Sequence, residues 1–306
     1  MNDLIYKTMN KIFRLSNESK KLLKPSFNEL LKFKDFKKSN YNKFAISFSS
    51  GRSGQNWFTK IFNSHSNWVG TCERFADYEA FFRYICYYNL PINKDPFFKL
   101  INLSAKRDMC NYQNTLISSP YFSFGLKDLL NNLDVDYIFF NIRNPINTVE
   151  DLFQKGWYEN IDFVDLKSPT IDHTNDLYHS FSRILPKCEY KYIWKKLTRI
   201  GKITWFWSIT NHDLYSNFSK IKKIEKFYIK LEDIDQNFEM YEKLSDKFNF
   251  TNKMSKKKFL NVIYKAGNKG EKISYKFKEW SKKEKKEFEE IREKFLYDYH
   301  KIKTNI

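Results

Sequence analysis

Residues able to do chemistry gather first in Ser50-Gly51-Arg52-Ser53-Gly54-Gln55-Asn56-Trp57. The apolar run Phe44–Ser49 stops at this loop, and an aromatic, helix-like run, Gln55–Ser64, follows it. A strand that passes through such a loop into a helix presents free backbone N–H groups at the helix N-terminus, where the macrodipole is positive. Gly51 and Gly54 permit positive φ and close approach of a ligand. Ser50 and Ser53 add hydroxyls, and Arg52 adds a fixed charge on a planar fork of donors. These are the parts of an anion site suited to a phosphate or sulfate group. Gly-Lys-Ser/Thr is absent, so the loop is not a Walker A loop. A second arginine stands in Arg143-Asn144-Pro145 at the end of Tyr137–Ile142, YIFFNI. Asn is a good N-cap and Pro suits the first helical position, so a helix is expected to start there.

The surrounding elements must place these groups. YIFFNI, apolar throughout, predicts a strand buried on both faces. Phe44–Ser49, Tyr121–Gly125 and Lys226–Lys230 are further strand candidates. Helices are expected at Gln55–Ser64 and Phe75–Tyr88. Phe288, Ile291, Phe295 and Tyr299 recur at helical spacing and predict a last helix with one face on the core. Strands alternating with helices over residues 44–300 imply an α/β domain, a mostly parallel sheet flanked by helices. Its ligand would sit at the C-terminal ends of the strands. Residues 1–40 alternate basic and apolar residues and read as a basic helical segment or arm, leaving 41–306 as the α/β domain.

The 306 residues carry 54 Lys and Arg against 36 Asp and Glu, a formal charge of +18. Such a field attracts anions. The lysine runs 256–258 and 282–286 read as solvated faces. No apolar run followed by a cleavage site is present, and no segment approaches the ~20 apolar residues of a membrane span. A cytoplasmic protein is expected, with contact to an anionic membrane surface open to residues 1–40. Cys72, Cys86, Cys110 and Cys188 form no CxxC pair and read as buried free thiols. His65, His173, His179, His212 and His300 lack metal-motif spacing, so no metal is expected. No recognised nucleic-acid motif accompanies the charge.

The loop at 50–57 resembles the 5′-phosphosulfate loop of the sulfotransferases that use 3′-phosphoadenosine 5′-phosphosulfate (PAPS). The family form is a basic residue, Ser, Gly, two threonines and Trp. Here Arg52 takes the basic position and Gln55-Asn56 replaces the threonines. YIFFNIRNP is similar to the second family signature, an apolar strand ending in Arg-Asn/Asp-Pro. Trp205–Asn217, Phe227–Ile234, Tyr241–Phe250 and Gly267–Gly270, with Trp280 downstream, follow in the family's order. The resemblance covers about Phe44 to Phe295 and implies a P-loop NTPase-like sulfotransferase fold.

It also implies roles. Arg143 would bind the 3′-phosphate. The serine that usually shares that phosphate is replaced by Asp151, and Thr148 offers a hydroxyl one turn earlier. Lys269 and Gly270 belong to the loop that would close over the 3′-phosphate, and Trp57 would lie near the adenine. Arg52 is the first choice for charge stabilisation. Lys127, in Gly125-Leu126-Lys127-Asp128, is the second cation. Glu73 stands where other branches of the family carry a catalytic glutamate and would be the general base. His173 and His179 lie in a polar stretch, 168–182, readable as a lid. The expected co-substrate is PAPS, the product adenosine 3′,5′-bisphosphate, and the acceptor a small molecule or glycan. Two rivals remain: a sulfotransferase-like fold for another phosphorylated ligand, and a non-enzymatic basic module for nucleic acid or anionic membrane.

Overall fold

The computed structural model describes residues 27–159, 181–187, 190–235, 237–266, 275–295 and 299–306. Among them β1 (Phe44–Phe48), β2 (Trp68–Cys72), β3 (Asn114–Ser119), β4 (Tyr137–Ile142) and β5 (Glu225–Lys230) form one sheet, in the order β2-β3-β1-β4-β5. Every pairing is parallel. The chain leaves β1 for the β2 edge, returns to β3 beside β1, then crosses to β4 on β1's other side. β1 is thus the central strand, and its C-terminal end lies where the strand order reverses, the usual place for a ligand in an open α/β sheet.

The helices are α1 (Phe27–Leu31), α2 (Gln55–Phe62), α3 (Ala76–Tyr88), α4 (Asp95–Tyr112), α5 (Leu126–Asn132) and α6 (Pro145–Gln154). After them come α7 (Tyr190–Ile193), α8 (Arg199–Phe218), α9 (Leu231–Ile234), α10 (Phe238–Lys247), α11 (Lys256–Ala266) and α12 (Lys282–Glu293). Alternate side chains of each strand meet opposite layers. Phe44, Ile46 and Phe48 pack with Ile138 and Phe140 against α3, α4, α5 and α8. Ala45, Leu116 and Phe139 pack against α2, α10 and α11. A third cluster joins α6, α8 and α12 through Leu152, Phe206 and Phe288. The structure is therefore α/β, a parallel sheet flanked by helices, as the sequence pattern implies. Among the described residues no helix is long and apolar enough to cross a membrane.

Several expectations need correction. Tyr121–Gly125 is not a strand. The strand is Asn114–Ser119, and Pro120, which cannot donate to a ladder, opens a 3₁₀ turn capped by Ser119 Oγ. Polar Ser118 and Ser119 disguise this strand's end. Glu73 comes after α2 and directly follows β2, a strand not expected there. Gly70 sits inside β2 because α2 passes close by: a Cβ there would lie 2.7 Å from the Thr59 carbonyl oxygen. The last helix stops at Glu293, and Tyr299 lies in a separate 3₁₀ turn that joins a different core cluster from Phe288. Cys110 is exposed, and Cys72 and Cys86 are half-buried; all three are free. Cys188, His173, His179, Lys269, Gly270 and residues 1–26 lie outside the described residues. Of the basic segment, Leu30 is buried and Lys38 pairs with Asp136 at 2.6 Å.

Both rims of the sheet are occupied. On β2, the Asn63 amide donates to the Gly70 carbonyl and accepts from the Gly70 N–H, each at 2.7 Å. On β5, Tyr228 exchanges hydrogen bonds with Asn305, and Lys230 N–H donates to Thr304 Oγ1 at 3.0 Å.

His65, after α2, is 2% exposed, hydrogen-bonds through Nδ1 to the Thr251 carbonyl at 2.7 Å and stacks on Phe250 at 4.2 Å. Burial lowers its pKa; the Thr251 bond raises it and the Lys258 charge lowers it further. The unfolded chain therefore takes up the proton first, and the stability this group contributes above about pH 6.5 is lost as pH falls through that value. His65→Phe keeps an aromatic stack and cannot titrate. Its melting temperature should fall less steeply than the parent's between about pH 7.5 and about pH 5.5. Equal slopes would contradict this role.

Candidate functional site

The loop after β1 is held by its own polar groups. Gly51 N–H donates to Ser49 Oγ at 2.9 Å, and Ser53 Oγ donates to the Gly51 carbonyl at 3.1 Å. Gly51, Arg52 and Gly54 have φ of 89°, 56° and 79°. A turn of this kind can gather backbone N–H groups into an anion-binding concavity. Arg52 has a Cβ, so its conformation costs about 1–2 kcal/mol. That cost must be met by contacts. Arg143, on the neighbouring strand's exit, donates from Nη1 to the Arg52 carbonyl at 3.0 Å and fixes the strained residue.

Arg143 follows β4 because the apolar strand ends there and the helix begins. Asn144 caps α6 as expected, accepting from Ile146 N–H at 2.9 Å and Asn147 N–H at 3.4 Å. Glu232 of α9 accepts the Asn144 N–H at 2.8 Å and the Tyr299 hydroxyl at 2.7 Å, and so positions the Arg143 turn. Asp151, two turns into α6, accepts from Arg143 at 2.5 Å and lies 3.5 Å from Arg52 Nη2. One carboxylate thus bridges the two arginines. Thr148 is fully buried and its hydroxyl donates to the Asn144 carbonyl at 3.0 Å, so it offers nothing to a ligand beside Arg143.

A cavity of about 400 Å³ opens against the loop. Ser50, Gly51, Arg52 and Asn56 form one wall, and Glu73 another. The Ser50 hydroxyl and Arg52 Nε are buried with no partner among the described residues. These orphaned donors and the positive-φ backbone fit a bound oxyanion. Glu73, at the end of β2, is also left-handed, φ 50°, with its N–H on the Ser118 carbonyl at 3.0 Å. Two non-glycine residues in a costly conformation on one cavity are a mark of a working site. The neighbouring Arg74 pairs with buried Asp108 at 2.6 Å.

Other expected residues fall elsewhere. Lys127 is exposed in the first turn of α5 and does not line the cavity. Its charge acts on Asp213, whose pKa burial pushes up to about 6 while Phe124 N–H, Asn217 and Lys127 pull it down. Trp57 is 6% exposed within the α2 core, leaving almost no face for an adenine. Gln55 is buried with its amide on Ser118 Oγ at 3.3 Å. Sequence reading singled out none of Arg83, Tyr121, Lys155, Trp157 and Arg183, which also line the cavity, although Arg83, Lys155 and Trp157 lie in the aromatic-rich segments 75–88 and 152–164 that could line an acceptor pocket. Arg83, alone among the aromatics of FFRYICYY, was the available signal: a charge on an apolar helix must find a special environment.

No protein-family model matches this sequence, and no curated protein matches it. Among solved structures, the sulfotransferase domain from the curacin biosynthetic pathway is similar at 12% identity, covering 70% of this chain and 76% of that one, with a TM-score of 0.42. The sulfotransferase domain from the Synechococcus PCC 7002 olefin synthase is similar at 13% identity, covering 87% and 99%, with a TM-score of 0.40. Likeness of this size names no reaction for this chain.

Gly54 opens α2 at φ 79°, and a Cβ there would lie 2.6 Å from Leu231 Cδ1. Gly54→Ala should lose about 1–2 kcal/mol in urea unfolding. Lys127→Ala, on an exposed turn, should stay within about 0.5 kcal/mol of the parent. A neutral Gly54→Ala would mean that the loop does not need this conformation.

Proposed function

We propose that this protein has a sulfotransferase-like fold and moves a sulfonate group from PAPS to a hydroxyl or amine acceptor, carbohydrate or lipid among the candidates. The observation that carries this reading is the joining of Arg52 and Arg143, at the exits of adjacent strands, on a loop whose cavity also holds Glu73. Ser50, Gly51, Arg52 and Asn56 would hold the phosphosulfate, and Arg143 the 3′-phosphate. The donor supplies an activated sulfur bonded to a phosphate oxygen. Glu73 takes the acceptor's proton as the acceptor oxygen or nitrogen bonds to sulfur. The sulfur–oxygen bond to the phosphate breaks, and its electron pair leaves with adenosine 3′,5′-bisphosphate. Arg52 keeps its own proton and stabilises the charge that grows on the sulfonate and leaving oxygens. The rest of the catalysis is alignment.

A second reading has one observation in its favour. Asp151 already occupies Arg143 at 2.5 Å. A phosphate placed there must displace or share that carboxylate, so a nucleotide without a 3′-phosphate would meet less repulsion.

Thermal unfolding with adenosine 3′,5′-bisphosphate, AMP and ATP tests both. A ligand at about 100 times its dissociation constant adds about 2.7 kcal/mol. A selective rise with the bisphosphate, abolished in Arg52→Ala and Arg143→Ala, is the expected result. A rise with AMP or ATP alone, converted to bisphosphate preference by Asp151→Ser, would favour the second reading. No response to any nucleotide would remove both.

A further inference from the structure

Resting on the transfer proposed above, we infer that the acceptor is itself an anion: a ring-bearing hydroxyl compound that carries a carboxylate or phosphate. Lys155 and Arg183 line the cavity from the end of α6 and from the segment 181–187, not from the loop after β1. Among the described residues neither forms an ion pair. Arg183 Nε is buried without a hydrogen-bond partner among those residues, and its guanidinium lies 5.9 Å from the centre of the Trp157 ring. Arg83 adds charge to the same cavity. It is fully buried, donates to the Ser182 carbonyl and lies 4.7 Å from the centre of the Tyr121 ring.

Glu73 is the one carboxylate among the described lining residues. In the transfer proposed above it takes the acceptor's proton, and no ion pair joins it to Lys155 or Arg183. A neutral acceptor that expelled water from this wall would leave Arg183 desolvated and uncompensated, which is costly. An anionic group on the acceptor meets it with charge-assisted hydrogen bonds, and a planar guanidinium takes carboxylate or phosphate in the two-pronged manner that its geometry favours. Trp157, partly exposed on the cavity, supplies the flat apolar surface that a sugar or phenyl ring needs. The transfer keeps the bond changes given above; the acceptor's charged group is a handle and takes no part in them.

The matched pair phenyl β-glucuronide and phenyl β-glucoside isolates the handle, since the two differ in a carboxylate against a hydroxymethyl group. Calorimetric titration would be run on the full chain with adenosine 3′,5′-bisphosphate present. Phenyl phosphate against phenol is the second pair, to separate phosphate from carboxylate preference. The charged member of at least one pair should bind at least tenfold more tightly. That advantage should shrink with added salt and largely disappear in Arg183→Gln and in Lys155→Gln. The variants' melting temperatures, matched to the parent's, exclude misfolding as the cause.

Equal binding of charged and neutral members in both pairs, no binding of any of the four, or an advantage unchanged in both variants would overturn the inference. A nucleotide that fails to bind while the charge preference and its Arg183 dependence persist would sink the donor assignment and leave the anionic handle supported.

Discussion

One guanidinium ties the site together. Arg143 Nη1 reaches the carbonyl of Arg52 and the carboxylate of Asp151. Without the first contact the left-handed Arg52 would have little to hold it, and the loop after β1 would lose the turn that aims its amides. That contact exists only because β4 lies directly beside β1, in register from Ala45↔Tyr137 to Phe48↔Phe140. The neighbourhood in turn requires the crossing from β3 over β1. The chain thus spends a large parallel sheet, whose pairings are far apart in sequence, on bringing two arginines together.

Two arginines this close repel each other, and the fold answers with Asp151. The result is a site neutralised in part before any ligand arrives. An oxyanion bound as proposed would exchange one negative partner for another instead of filling a bare positive hole. Selectivity in such a site comes from how many oxygens a ligand offers and where, since the attraction of charge alone is already partly satisfied.

Legibility in the sequence followed how local the determining physics is. β4 and the start of α6 were readable to the residue, because continuous apolar character and the Asn-Pro cap act over a few positions. The loop at 50–57 was readable for the same reason. β2 and β3 were not: WVGTC and NTLISS owe their strand state to the neighbours they pair with, and Gly70 is there for the approach of α2. Lys127 looked catalytic from its local sequence alone, and its exposure on α5 is a tertiary fact. Arg183 and Lys155 belong to the cavity through folding of segments with no shared motif. Asp151 was legible as a departure, but its bridging of Arg52 and Arg143 depends on a side-chain geometry that spacing does not encode.

The occupied rims of the sheet limit how this molecule can meet others. An open strand edge is a template on which a second chain can add its own strand, by design or in aggregation. Here the Asn63 amide plugs one edge at Gly70, and residues 304–305 lie along the other. Growth of the five-strand ribbon by a neighbouring polypeptide is blocked at those positions. Among the described residues, helix and loop surfaces are what remains for a contact between copies, and the excess lysine makes two copies repel. Crowding of a protein this rich in Phe and Tyr is kept in check by that geometry as much as by its charge.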